Sequence, residues 1–397
     1  MNARQQRLFL WNRLQKRLVR GMVLYRFAIA TLTPALLIAL AVGIGAQWGW
    51  AAIVYMTVLV FGMDKLIGAE TEKHPPEMEF PAADALLKVL AGSHFFLLGL
   101  CLYAMLNLTG SQLALTLICS GLVFGQISHP VAHELIHKKS SVMRLLGRLI
   151  YSSLLVGHHA SAHVRVHHMY VGSDEDPNSP RAGEGFYRYA WRASKQSFLA
   201  GLRAENRTRR KKPSWSHPYA LYVAVGLATL AVFVLTAGTK GMLLYGLVAL
   251  HAQMQILMSD YVQHYGLRRQ TMPNGDLEPV GPQHSWNAPH WFSSSMMLNA
   301  TRHSDHHVNP RTPYPALKLS PGEMPMMPYP LPVMGTIALM PHLWRALMEK
   351  RAEKWVKRPW HMAKRNGQEP SHLTGSNNAK TPALDFNSLA RTGSGAG

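Results

Sequence analysis

Three groups of histidines recur at helical spacing along this chain. They are His133 and His137 in HELIH, His163, His167 and His168 in HVRVHH, and His303, His306 and His307 in RHSDHH. Residues three or four apart share one face of an α-helix, and neutral imidazole is the commonest metal ligand. HELIH alone matches H-E-x-x-H, the zinc pattern in which Glu134 would be general base. It equally fits a helix end with solvated polar side chains. A metalloprotease needs one further ligand and leaves the other two groups without a role. Neighbours such as His167 and His168 point about 100° apart on a helix, so they can address two ions or two positions around one. Eight imidazoles are too many for one ion and suit two. Glu134 and Asp305 sit inside the groups. They fit a supporting role, accepting from ring N–H groups that do not ligate, with direct ligation as the alternative.

A ninth candidate is His264 in SDYVQHYGLRR; in isolation it reads as an ordinary interfacial histidine. His284 in HSWN is placed similarly, and is expected beside the ligands. His129, His158 and His159 suit hydrogen-bonding or pocket roles. His251 lies deep in an apolar block, where an ionisable side chain is a functional candidate and helix–helix hydrogen bonding is the competing reading.

The elements that must position these groups are apolar blocks of spanning length. The chain has 397 residues, 48% hydrophobic and 16% charged, with a formal net charge of +20. The cations lie between the blocks, which is the pattern of a polytopic membrane protein. A nucleic-acid binder would carry its cations on a soluble module, and none is present. Spans are expected at roughly 22–44, 50–68, 86–107, 112–129, 218–237 and 241–262. Arg4, Arg7, Arg13, Lys16, Arg17 and Arg20 mark residues 1–21 as a cytoplasmic amphipathic segment. Six spans then put both termini and every long basic loop on the cytoplasmic side, in a bacterial-type inner membrane. The segment 145–157 could lie along the membrane, and part of 321–348 could be an embedded helix. Residues 22–365 form one membrane domain, and 366–397, poor in large apolar residues, read as a disordered tail. Cys101 and Cys119 fall inside apolar blocks and offer no Cys-x-x-Cys site, so an iron–sulfur or rubredoxin-type carrier must be another chain. A His-rich metal transporter is a rival class, but its ligands belong near the bilayer midplane, whereas these groups lie beyond the spans.

HELIHKK, HVRVHH followed by DEDPNSPRAGEGFYRY, then DYVQHYGL, HSWN and RHSDHH resemble, in this order, the alkane 1-monooxygenase family. MDKLIGAETEKHPPE also resembles that family's first cytoplasmic loop, and the likeness covers roughly residues 20–350. It implies an all-α, desaturase-like membrane fold with a cytoplasmic di-iron site. Nine histidines would hold two non-haem irons (Fe2+/Fe3+): His133, His137, His163, His167, His168, His264, His303, His306 and His307. It further implies a hydrophobic substrate from the bilayer, O2, and a separate rubredoxin with its reductase. A terminal methyl would be hydroxylated, an n-alkane giving a 1-alkanol; methyl-arene oxidation and fatty acyl desaturation or hydroxylation are the alternatives. Two departures stand out. Ala162 and Gln263 occupy positions where the family usually carries glutamate.

Overall fold

The computed structural model describes residues 24–68, 80–210 and 213–357. The amphipathic segment 1–21, most of the MDKLIGAETEKHPPE loop and the tail 366–397 lie outside them. The compact unit Met1–Trp355 holds every element that positions the histidines. Among the described residues there is no strand, only the isolated bridges Thr271–Leu277 and Asn287–Met326.

Five helices are long and apolar enough to cross a membrane: α1 (Leu24–Gly43), α2 (Gln47–Ile67), α3 (Pro81–Asn107), α4 (Gly110–Ile136) and α8 (Pro218–His264). Their long apolar stretches give all-round apolar helices, and prolines at the first turns of α3 and α8 occupy positions where no N–H is needed. Helix α8 runs for 47 residues but breaks at Gly238, where φ is 59° and ψ −148°. That conformation is essentially open only to glycine. Beyond it the helix returns on itself, since the Phe233 and Tyr245 rings stack at 4.5 Å. Twelve residues of straight helix would separate them by about 18 Å. The five helices therefore make six legs, in line with the sequence expectation.

Cross-contacts set the order of the legs. Gln112 Nε2 donates to Ala41 O, and His94 lies between Ser128 and Ser153 at 3.0 and 2.8 Å. Both nitrogens of this buried ring are satisfied, so it stitches α3, α4 and α5 (Ser141–Ser153) together. The returning leg of α8 runs alongside α4 in the same direction. A Cβ on Gly121 would run into His251, and one on Gly125 into Gln255. Parallel alignment brings the C-terminal ends of α4 and α8 to one face. At that face Asp64, at the end of α2, accepts from the amides of Phe292 and Ser293 at 2.7 and 3.1 Å. It thereby caps α9 (Trp291–Met296), more than two hundred residues away.

The region between α5 and α8 folds over the same face. Helix α6 is composite: α-helix at His159–Ala162, a π-turn at His163–His167, and α-helix again at His168–Tyr170. Helix α7 (Phe186–Thr208) packs against it so closely that a Cβ on Gly201 would lie 3.2 Å from Ala162 Cα. Helix α10 (His303–Val308) carries the third group. The apolar stretch after it forms α11 (Leu331–Ala338) and α12 (Pro341–Val356).

Candidate metal centre

The first histidine group is carried on the last turns of a membrane helix, not in a loop beyond it. Sequence hydropathy ends the fourth span near residue 129, but α4 continues to Ile136. A π-turn at Phe124–Ser128 adjusts its register just before His129. Single π-turns of this kind are frequent at functional sites. His264 is the last residue of α8, so two spanning helices deliver imidazoles to one level.

The nine histidines gather into two clusters. His133, His137, His163, His168 and His306 form one, and His167, His264, His303 and His307 the other. Within each, the candidate ligand nitrogens all lie within 4.8 Å of one another. The division does not follow ordinary helical faces. The π-turn in α6 brings His163 and His168 together, their Nε2 atoms 3.0 Å apart, and sends His167 to the other cluster. A regular helix would have paired His163 with His167. Helix α10 splits similarly: His303 and His307 share a cluster, with Nε2 atoms 3.1 Å apart, while His306 reaches His168 at 3.2 Å. His264 and His303 close the second cluster at 3.0 Å.

These separations fit metal ligation. A metal about 2.1 Å from each nitrogen sets neighbouring ligands about 3.0 Å apart at a right angle and about 3.4 Å apart at a tetrahedral one. The Nε2 atoms of His133, His137 and His167 are buried with no hydrogen-bond partner, an expensive arrangement unless something accepts their lone pairs. Protonation supplies no such relief. Burial first, then neighbouring imidazoles, hold His163, His168, His303, His306 and His307 well below the usual imidazole range. Burial likewise brings His137 down to about 4. Neutral imidazole is the form that binds metal.

His167 is the exception. Burial alone would depress it, but Asp176 raises it on balance. Its Nδ1 lies 2.8 Å from Asp176 Oδ2. Asp176 also accepts from Ser179 Oγ at 2.7 Å and from the Asn178 amide at 3.0 Å. Burial would raise this carboxyl, yet these partners hold it below its ordinary value. A carboxylate behind a ligating ring fixes its tautomer and strengthens it as a donor. The loop is held in turn by Asn178, which donates to Asp260 Oδ2 at 2.6 Å, and by Arg192, which donates to Pro177 O at 2.9 Å.

Asp176 was not singled out by spacing. It stands nine residues after His167 in an irregular loop, and its one local signal is DPNS, a sequence prone to a turn closed by the aspartate side chain. The two acids chosen from spacing are directed elsewhere. Asp305 accepts from the Lys318 amide at 2.7 Å and from Asn309 Nδ2 at 2.9 Å, and Glu134 pairs with Lys138 at 3.7 Å. His284 approaches a ligand candidate through its backbone, its carbonyl oxygen 3.4 Å from His264 Nδ1. Its ring accepts from the Gly281 amide and faces Glu278. His159 stacks on His163 at 5.3 Å but joins neither cluster, and His129 lies 3.0 Å from the Tyr151 hydroxyl.

The two departures from glutamate have local reasons. Gln263 donates to Ala300 O at 2.9 Å and accepts from Ser259 at 2.8 Å. Its amide tethers the segment leading into α10, and a carboxylate could not donate there. Ala162 is buried where α6 packs closely on Gly201 of α7.

A multi-pass helical frame that converges nine imidazoles at one face defines a histidine-rich membrane metalloprotein. The sequence pattern of the fatty acid desaturase family matches residues 109–337, more than half of the chain. Alkane 1-monooxygenase 1 of Pseudomonas aeruginosa is 32% identical over 60% of this chain and 63% of its own length. Alkane 1-monooxygenase 2 of the same organism is 30% identical over 78% of this chain and 85% of its own length. A further relative, the xylene/toluene monooxygenase hydroxylase component of Pseudomonas putida, is 30% identical over 58% of this chain and 62% of its length. The chain belongs to the alkane 1-monooxygenase family, whose fold is fatty-acid-desaturase-like.

Proposed function

We propose that the two clusters hold two non-haem irons and that the protein hydroxylates a terminal methyl of a hydrophobic substrate, most directly an n-alkane to a 1-alkanol. His133, His137, His163, His168 and His306 would hold one iron. His167, His264, His303 and His307 would hold the other. The balanced reaction is RH + O2 + 2e− + 2H+ → ROH + H2O. The observation that carries the reading is the convergence of nine imidazoles, seven of them buried and several with partner-free nitrogens, beneath a largely apolar cavity. When bound, the irons supply the activation of dioxygen that an inert C–H bond requires.

The chain's own residues supply access and exclusion. A cavity of about 270 Å3 lies between α4, the returning leg of α8, and α11. Its walls include Leu122, Met254, Met258, Met297 and Leu331, and His129 and Ala300 line it toward the clusters. His129 is one helical turn before His133, and its ring is 6.1 Å from the His133 ring. An alkyl chain partitioned into the bilayer can enter between the legs and direct a methyl group to that end, while the apolar walls exclude water. The Tyr151 hydroxyl holds the His129 ring across the lower wall.

Electrons come from a separate rubredoxin and its reductase. Both cysteines are buried inside spanning helices, so this chain offers no thiolate cluster at the surface. Seven of the nine imidazoles are buried, while His137 and His168 are partly exposed. Both belong to the first cluster, which supports electron entry on that side. The +20 charge suits an acidic donor. The positive-inside rule supports a cytoplasmic site in an inner membrane with both termini inside.

A methyl-arene substrate is the second reading, favoured by the xylene/toluene monooxygenase relative. Product analysis with alkanes, acyl chains and methyl-arenes separates these, and separates hydroxylation from desaturation. Metal analysis should give about two irons per chain, and His303→Ala should lose iron and activity together. One zinc and no iron would end the proposal.

A further inference from the structure

The cavity is not uniformly apolar, and its polar groups differ in whether they are already satisfied. Ser259 donates to Gln263, Thr336 to Pro332 O, and Gln255 to Gly121 O. His129 is engaged by Tyr151. Two lining side chains remain. The His251 ring makes no hydrogen bond among the described residues, although it borders the cavity from the returning leg of α8. The Gln126 Oε1 atom is buried without a partner. Gln126 itself lines the cavity, and its terminal torsion, broad for an amide, leaves that oxygen free to turn. His94, the other histidine deep in a span, has both nitrogens bonded to serines. Stitching helices together therefore explains His94 and leaves His251 unexplained.

The level of these groups matters. His251 packs at Gly121, twelve residues before His133, or about 18 Å along the axis at roughly 1.5 Å per residue. Gln126 stands seven residues before His133, about 10 Å by the same rise. Both are well removed from the reacting end. Neither is paired to a charge, and no lysine or arginine lines the cavity, which disfavours an anionic ligand. An imidazole and an unpaired amide oxygen match a neutral hydroxyl, which both accepts and donates. Glycine at 121 gives the ring its room, because any larger residue would collide with it.

We propose that His251 and Gln126 form a hydrogen-bonding station for the far end of the substrate, so that the preferred substrate is a long-chain neutral alcohol rather than a bare alkane. This rests on the hydroxylase reading of the same cavity. The alcohol's hydroxyl sits at the station and its opposite methyl reaches the histidine clusters, so the product is a diol. A site that presents polar groups to a hydroxyl rejects the analogue lacking it, because those groups stay buried and unpaired.

The test uses the purified, iron-loaded protein in nanodiscs with hexadecane, 1-hexadecanol and hexadecanoate. Binding is measured by competition and products by mass spectrometry. The alcohol should bind at least about tenfold more tightly than the alkane, with hexadecanoate weaker than the alcohol. His251→Leu should bring the alcohol-to-alkane ratio to within about twofold, Gln126→Leu should lower it, and His251→Gln, which keeps a donor and an acceptor, should retain most of it. Equal binding of alcohol and alkane by the unaltered protein overturns the proposal, as does an unchanged ratio in folded His251→Leu. If the preference appears and responds to His251→Leu while no chain is oxidised, the hydroxylase reading fails and the station stands. If all chains are oxidised without preference, the reverse holds.

Discussion

Asp176→Asn perturbs one cluster and not the other. In the protein, Asp176 Oδ2 lies 2.8 Å from His167 Nδ1 and accepts from Ser179 Oγ at 2.7 Å. Asparagine keeps the volume but can offer only one oxygen. With that oxygen on the Asn178 amide, its NH2 group faces two donors; turned about, it leaves the amide unpaired. Hydrogen bonds to a charged group are worth about 1.5–3 kcal/mol each. Loss of the bond to His167 alone therefore corresponds to roughly 10- to 100-fold in metal affinity, the range typical when a partner behind a ligating histidine is removed. His167 belongs to the four-histidine cluster, so only that iron should weaken. Ferrous iron titrated against a chelator of graded strength should show two comparable sites in the unaltered protein. In Asp176→Asn one site should weaken by the stated factor and the other stay in place. Asp305→Asn is the control, because its carboxylate serves Lys318 N and Asn309 and makes no hydrogen bond to a ring among the described residues. Two unshifted sites in Asp176→Asn, or equal weakening of both, would refute the reasoning.

Gly238→Ala forces a side chain into a conformation that only glycine adopts readily. It should cost about 1–3 kcal/mol, read as a lower unfolding temperature in detergent. Asp64→Ala removes the cap on α9 and should cost about 0.5–2 kcal/mol, with metal content unchanged from the unaltered protein. Gln263→Glu replaces the donor to Ala300 O and should lower stability near neutral pH, with partial recovery in acid as the carboxyl gains a proton. The metal-free protein should be acid-sensitive for a separate reason. His137 falls to about 4 on burial, and five other cluster histidines are depressed as well. Between about pH 6.5 and 4 these six rings therefore bind more protons in the unfolded chain than in the folded one, and their contribution makes stability fall with falling pH. Thermal unfolding at pH 7.5 and 5.5 checks this, and added metal should blunt the loss.

Spanning helices were legible in the sequence because a bilayer imposes length and apolarity along the chain itself. Five are found, and the sixth leg follows from the break at Gly238, inside the short AGTKG joint where the hydropathy dips. The helix of the fourth span runs on past the end that hydropathy gives, because HELIH is polar yet helical. Its two histidines face the clusters, where lone pairs converge, while Glu134 pairs with Lys138. The nine histidines were legible by type and spacing, with His264 resting on the resemblance and not on its own surroundings.

What one-dimensional spacing could not decide is which imidazole faces which cluster. An α-helix pairs i with i+4, and only the π-turn pairs His163 with His168 and releases His167. Nor could it find Asp176, because a loop residue meets its partner through the whole fold and carries no period. Chain-local physics wrote the spans and the ligand types into the sequence. Register, partners and the satisfied or unsatisfied state of each buried polar group exist only once the helices have packed.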